Sequence, residues 1–249
     1  HPPEVSVVLP VRNGAATIGT AVSGIHAQTL ARWELLVVDD GSTDETAAIV
    51  QSWVRRDSRI RLLRQPALGL VAALEAGCAA ARAPYCARMD ADDESMPERL
   101  ELQARFLDEH PDIGLAGCLV SFGGKRTTSA GYALHVDWLN TLLTPEAIAL
   151  NRFVESPLAH PSVMFRRELR ERHGGYREGP FPEDYELWLR WLEAGVRMAK
   201  VPRPLLVWHD PPRRLSRTDA RYDPEAFFVV KAGYLAHAVE LIRRGRQVW

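Results

Sequence analysis

No stretch of this chain reaches the roughly 18 uninterrupted apolar residues a membrane-spanning helix needs, so nothing in it is expected to cross a bilayer. Basic charge is not in excess. Thirty-one Lys and Arg stand against 32 Asp and Glu, for a formal charge of −1, which argues against a dedicated nucleic-acid binder. Cysteine is scarce: Cys78, Cys86 and Cys118 form no CxxC pair and each sits in an apolar stretch. Each is expected as a small core residue, and an odd, sparse count fits a reducing compartment. The opening HPPEVSVVLP has neither a basic n-region nor a long apolar run. No signal peptide is read there, and a cytoplasmic location, in reach of the inner face of the membrane, is expected. His1 and the closing RRGRQVW read as the edges of a trimmed chain, with room for a further C-terminal segment. Internal repeats and low-complexity linkers are absent. A Gly-rich basic phosphate loop is absent too, since PVRNGAATI has one Gly and one Arg; this disfavours a nucleotidyltransferase.

What is present is 249 residues at 46% hydrophobic content, enough for a sizeable core. Apolar β-branched runs predict buried strands at 5–10, 33–40, 60–64, 85–90 and 113–122. Between them, helical spacing (Ala15, Ile18, Val22, Ile25) and Ala-rich or amphipathic stretches predict helices after Asn13, after Ser42, over 69–83 and over 97–110. Ser42 with Glu45 has the spacing of a capping box, which makes Ser42 the expected N-cap. This alternation predicts an α/β fold with a mostly parallel central sheet covered by helices on both faces. After residue 122 the rhythm weakens. Helices are expected over 183–195 and 223–245, the latter with Asp223 as N-cap, Pro224 at N1 and Gly245 at C′, and one or two strands in RMAKVPRPLLVWH. The divisions read from this are 1–122, 123–222 as a second half of the same domain, and a C-terminal helix over 223–249.

Polar residues collect where the predicted strands end: PVRN, DDGS and DADD. Ligands of such sheets sit outside the carboxyl ends of the strands. Asp90, Asp92 and Asp93 in ARMDADDESMPERL place hard oxygen donors at a spacing that suits Mg²⁺ or Mn²⁺, which take one or two carboxylates and share substrate phosphates. Taken alone, the same turn also reads as a solvated acidic cap of the helix at Pro97. Asp39 and Asp40 either bond the amides of GSTD or accept from a ring N–H of a nucleobase, with Pro10, Val11 and Arg12 as a stacking wall.

The segments VSVVLPVRNGAATI, WELLVVDDGSTDET, YCARMDADDESMPERL, HPSVMFRR and PFPEDYELWLR, in this order, resemble the family 2 inverting glycosyltransferases of the GT-A fold, from about residue 4 to about 220. The resemblance implies a Rossmann-like fold with a C-terminal acceptor-side region. It also implies transfer of a sugar from a nucleotide-diphosphate sugar, a UDP-sugar foremost, to a hydroxyl of a saccharide or lipid-linked saccharide in cell-surface polysaccharide or glycoconjugate synthesis. Pro10, Val11 and Arg12 would flank the base, Asp40 would read its ring N–H, and Asp39 would support the loop. Gly69, Asp90 and Asp92 complete the nucleotide-sugar set. Asp92, Asp93 and His209 are the implied metal residues, with Mn²⁺ or Mg²⁺. Asp184 in PEDYELW matches the catalytic base; the dipole of the helix it starts would keep it ionised. Glu183 and His160 fall on the acceptor side. Glu75 stands where many relatives have asparagine.

The basic run PPRRLSRTDAR, with Arg213, Arg214 and Arg217, reads either as a lid over a diphosphate or as a solvated face. The closing helix with RRGR offers a peripheral contact to an anionic membrane. The rival readings are a sugar nucleotidyltransferase, a phosphatase, disfavoured because its DxD should follow the first strand, and a non-catalytic nucleotide-sugar-binding domain.

Overall fold

A computed structural model describes residues 1–124, 127, 129–211 and 217–245. The first half alternates as its apolar periodicity dictates: β1 (Val5–Val11), α1 (Ile18–His26), β2 (Trp33–Asp40), α2 (Thr46–Val54), β3 (Ile60–Gln65), α3 (Leu70–Ala80) and β4 (Tyr85–Arg88). A two-residue strand β5 (Glu94–Ser95), α4 (Arg99–Glu109) and β6 (Ile113–Phe122) follow. The second half adds α5 (Ala130–Leu139), α6 (Pro145–Asn151), β7 (Met164–Arg166), α7 (Glu168–His173), α8 (Glu183–Glu193), β8 (Arg197–Trp208) and α9 (Pro224–Arg243).

All eight strands form one sheet in the order β3-β2-β1-β4-β7-β6-β8-β5. It is mostly parallel; β7 runs antiparallel to β4 and β6, and β5 antiparallel to β8. RMAKVPRPLLVW is thus one long strand. Its register against β6 shifts around Leu119, where Pro204 cannot donate to the ladder. Side-chain alternation along β1 feeds two cores. Val5, Val7 and Leu9 face α1, α2 and α4, while Val8 meets Leu74 of α3 and Trp188 and Trp191 of α8 on the other face. Gly77 lets α3 approach this second face closely: a Cβ there would stand 3.2 Å from Val38 Cγ2 and closer still to Val8 Cγ1. Cys78, Cys86 and Cys118 are buried free thiols, the core role expected of them. Among the described residues no helix is long and apolar enough to cross a membrane.

Among the boundaries that differ from the sequence expectation, three lie beside the cavity loops. β1 runs one residue further, to Val11, because Val11 pairs with Asp39 of β2. β4 stops at Arg88 rather than Asp90, although the Met89 N–H still donates to Val8 O. The predicted capping box does not form: α2 begins at Thr46, and Ser42 lies outside it. The Ser42 hydroxyl instead accepts the Asn13 N–H at 2.9 Å, so the tertiary partner outcompetes the local one.

Candidate functional site

The loops after β1 and β2 hold each other. Besides the Ser42 contact, Gly14 N–H donates to Thr46 Oγ1 (2.9 Å), Ala15 N–H to Asp44 Oδ2 (3.1 Å), and Thr43 N–H to Asn13 Oδ1 (2.8 Å). The polar residues of DGSTDET therefore clamp the loop carrying Arg12. Asp39 is fully buried and accepts from Ser42 N–H and Arg64 Nε, the loop-supporting place expected of it. Asp40 is 4% exposed and faces the cavity. Its carboxylate accepts from Gln65 Nε2, Leu68 N–H and Gly69 N–H at 2.7–2.9 Å. Gly69 has φ +97° at the start of α3, a conformation that favours glycine and turns its N–H toward Asp40.

The acidic turn is built on two buried arginines that the sequence reading passed over. Arg88, the last residue of β4, is 2% exposed and donates Nη2 to Asp90 Oδ1 at 2.7 Å and Nη1 to Met89 O. Arg99 of α4 is fully buried; it donates to Arg88 O (2.6 Å) and to Gln103 Oε1 (3.1 Å). A lone Arg inside the apolar run YCARM was the available signal, since an unpaired guanidinium is rarely buried. One oxygen each of Asp90, Asp92 and Asp93 lies within 4.8 Å of the others. This cluster of hard oxygen donors at a strand end fits a divalent cation. Asp93 also accepts the His209 N–H at 2.8 Å, which together with the β5–β8 pairing stitches the turn to β8. The His209 ring is not part of the oxygen cluster. Its Nδ1 lies 3.2 Å from Gly123 O and its Nε2 3.0 Å from Glu94 Oε1, so both ring nitrogens already face protein acceptors.

Opposite stands the first turn of α8, capped by Pro182 and carrying Glu183 and Asp184. Asp184 Oδ1 accepts the Tyr185 N–H at 2.8 Å. The helix-dipole expectation is overturned in balance: burial and the neighbouring Glu183 carboxylate push the Asp184 carboxyl up to about 8, outweighing the backbone N–H groups and the Arg88 charge that act the other way. Glu183 is 2% exposed, and burial raises its carboxyl too. Tyr222 donates its hydroxyl to Glu183 Oε2 at 2.5 Å; His160 Nδ1 lies 3.6 Å from Oε1, and His160 Nε2 is 2.8 Å from the Tyr176 hydroxyl. Glu75 is not part of the cavity lining and is bound by Arg170 and the Tyr176 N–H. The anion is thereby neutralised by a tie between α3 and the segment leading into α8.

One cavity of about 1060 Å³ joins these groups. Pro10, Val11, Arg12, Asp40, Gly69, Asp90, Asp92, His160, Glu183 and Asp184 all line it, while Asp93 and His209 are not part of the lining. The sequence reading missed Arg88, Tyr132, His135, Trp208, Arg221 and Tyr222. The last two lie in a weakly patterned stretch, Tyr132 and His135 in a helix with little apolar periodicity, and Trp208 at the end of β8. Arg213 and Arg214 lie outside the described residues; Arg217 is paired with Asp210.

Comparison with known proteins gives the family and the fold. The sequence model for glycosyl transferase family 2 matches residues 6–174, two thirds of the chain. The chain belongs to this family. The amylovoran biosynthesis glycosyltransferase AmsE of Erwinia amylovora is 30% identical over 190 residues, covering 74% of this chain and 67% of that protein. Among solved structures, S. aureus TarS 1–349 in complex with UDP-GlcNAc superposes with a TM-score of 0.71 at 19% identity, over 91% of this chain and 64% of that one. The mannosyltransferase PcManGT from Pyrobaculum calidifontis, in complex with GDP-Man and Mn²⁺, has a TM-score of 0.66 at 21% identity, over 96% and 76%. The family 2 chain thus has the GT-A fold and spans less than two thirds of the TarS fragment.

Proposed function

We propose that this family 2 chain transfers a sugar from a nucleotide-diphosphate sugar, a UDP-sugar foremost, to a hydroxyl of a saccharide or lipid-linked saccharide, with inversion. The setting is cell-surface polysaccharide or glycoconjugate synthesis, as the kinship with AmsE supports. One observation carries the reading: a single cavity presents the acidic turn at the end of β4 and a separate carboxylate, Asp184, at the start of α8. A displacement of diphosphate by a hydroxyl needs charge neutralisation at one end and a base at the other.

At the nucleotide end, Pro10, Val11 and Arg12 flank the base. The Asp40 carboxylate has about four acceptor positions and gives three to Gln65 at the end of β3 and to the loop N–H groups of Leu68 and Gly69, which leaves one for a ring N–H. Asp90, oriented by Arg88, meets ribose and diphosphate. Asp92 and Asp93 would hold Mn²⁺ or Mg²⁺, which when bound stabilises the negative charge on the diphosphate as a Lewis acid. The Mn²⁺ present with PcManGT supports this metal class. His209 serves by its backbone N–H, which Asp93 accepts.

At the other end, Asp184 takes the proton of the acceptor hydroxyl as that oxygen bonds to the anomeric carbon and the bond to the diphosphate breaks. A proton acceptor tuned up toward 8 is well matched to such work near neutral pH. Glu183 is held by Tyr222 and the His160 ring, so it positions the first turn of α8 beside its neighbour. One displacement of this kind inverts the anomeric centre. The test is release of nucleoside diphosphate from a panel of nucleotide sugars with Mn²⁺. Turnover with one donor, lost in Asp184→Asn, is expected; no release with any donor, or undiminished activity in the variant, sinks the assignment.

A further inference from the structure

The cavity has an end that the donor reading leaves unused. Tyr132 and His135 of α5 and Trp208 at the end of β8 all line it. Their rings meet one another: Tyr132 to Trp208 at 5.1 Å between centroids, His135 to Trp208 at 6.3 Å and Tyr132 to His135 at 6.1 Å, all tilted. Phe122 backs Tyr132 at 5.6 Å. We infer that this aromatic wall is the subsite for the acceptor and that it takes a sugar ring, packed by its C–H face against Tyr132 and Trp208. The inference rests on the donor reading above for which end of the cavity holds the nucleotide.

Sheet order supplies the direction. Val11 and Asp40 close β1 and β2, Asp90 follows β4, and Trp208 closes β8. β8 stands four strand positions from β1 in the sheet order. The acidic turn spans from β4 to β8, and the wall begins where it ends: His209, whose N–H Asp93 accepts, follows Trp208 directly. Base, acidic turn and aromatic wall are therefore arrayed in that order along one rim. In an inverting displacement the attacking hydroxyl must approach from the side away from the diphosphate. With the diphosphate at the acidic turn, the wall is the aromatic part of the same lining beyond that turn.

The chemistry of the wall selects the ligand class. A pyranose has an apolar C–H face and a rim of hydroxyls. Aromatic rings supply apolar area at fixed orientation, and a few placed polar groups fix the ligand's register. His135 on the wall, with Glu155 and Ser156 elsewhere in the cavity lining, offers such groups. An acyl or polyprenyl chain would have no use for them.

Saturation-transfer NMR tests this with methyl β-D-glucoside, methyl β-D-galactoside and methyl N-acetyl-β-D-glucosaminide, each in the presence of Mn²⁺ and of UDP or GDP. At least one glycoside is expected to take saturation on its axial C–H face. Tyr132→Leu, at a half-buried position, should reduce that signal at least fivefold, Trp208→Leu likewise, and Tyr132→Phe should retain it, while the nucleotide signal persists in all three. Persistence of the nucleotide signal also shows that each variant is folded. Nucleotide binding with no glycoside response, or a glycoside response that neither leucine variant weakens, overturns the aromatic subsite. Failure of both nucleotides to bind the unaltered protein overturns the donor reading instead.

Discussion

Replacing Asp184 by Asn should remove activity and add stability, and the second effect should depend on pH. The amide is nearly isosteric with the carboxyl and its oxygen can still accept the Tyr185 N–H. Loss of a positioned base costs ~10²–10⁴-fold in turnover. In the folded chain the Asp184 carboxyl sits at about 8, against an ordinary value of 3.8. Between these values the folded state holds the proton and the unfolded state has released it. Stability therefore falls as pH rises through this window, by up to ~1.4 kcal/mol per pH unit for one such group. The variant carries no charge to bury and escapes that loss. Glu183, raised by the same burial, is relieved once its neighbour is neutral, and it keeps its own dependence in both proteins. Discounting for this sharing, the gain at pH 8 should exceed that at pH 5 by ~2 kcal/mol, a relative rise in Tm of ~4–8 °C for a chain of this size. Thermal unfolding of both proteins at pH 5, 6, 7 and 8, beside nucleoside diphosphate release, reads both effects. A Tm difference that does not grow with pH would refute the burial argument; turnover within threefold of the unaltered enzyme would refute the base.

Other outcomes follow from the same geometry. The kcat/KM of the unaltered enzyme should climb with pH toward 8, because the ionised Asp184 is the reactive form; a flat profile from pH 6 to 8 would count against it. EDTA should weaken UDP binding, measured by calorimetry, at least tenfold, since the mutual repulsion of Asp90, Asp92 and Asp93 is what a divalent ion relieves; unchanged affinity would show the turn to be an acidic cap. Arg88→Gln removes a buried guanidinium and strands Asp90, so the urea midpoint should fall by the equivalent of ~3 kcal/mol. Gly77→Ala should cost ~1–3 kcal/mol by overpacking against Val8 and Val38; an unaltered midpoint would mean that α3 can shift outward.

The first half of the fold was readable because β1, β2 and β4 are buried on both faces. A run such as VSVVLP has no polar residue on either side of its pleat except Ser6, which is itself buried against Glu34. The apolar run has to end where the chain meets the rim, so Asp40 marks the end of β2 in the sequence itself and Asp90 lies two residues past the end of β4. The second half was less legible. β7 has three residues and α7 six, too few for a period to show. Ser42 misled for a related reason: its capping pattern is local, and its actual partner, Asn13, lies 29 residues away.

By itself, then, the sequence determined the alternating α/β order, the placing of carboxylates at strand ends, and the ordered motifs that mark family 2. These depend on hydrophobic period and local spacing, which a linear chain displays. Only the tertiary structure decided the proton affinity of Asp184, the Glu75 contacts with Arg170 and Tyr176, and the place of the His209 ring beside Gly123 and Glu94 rather than in the aspartate cluster. Each depends on burial and on partners from distant segments, such as the Asp93 and His209 pair 116 positions apart. The energies of charged groups are set by what surrounds them in space, and that neighbourhood does not exist until the sheet has assembled.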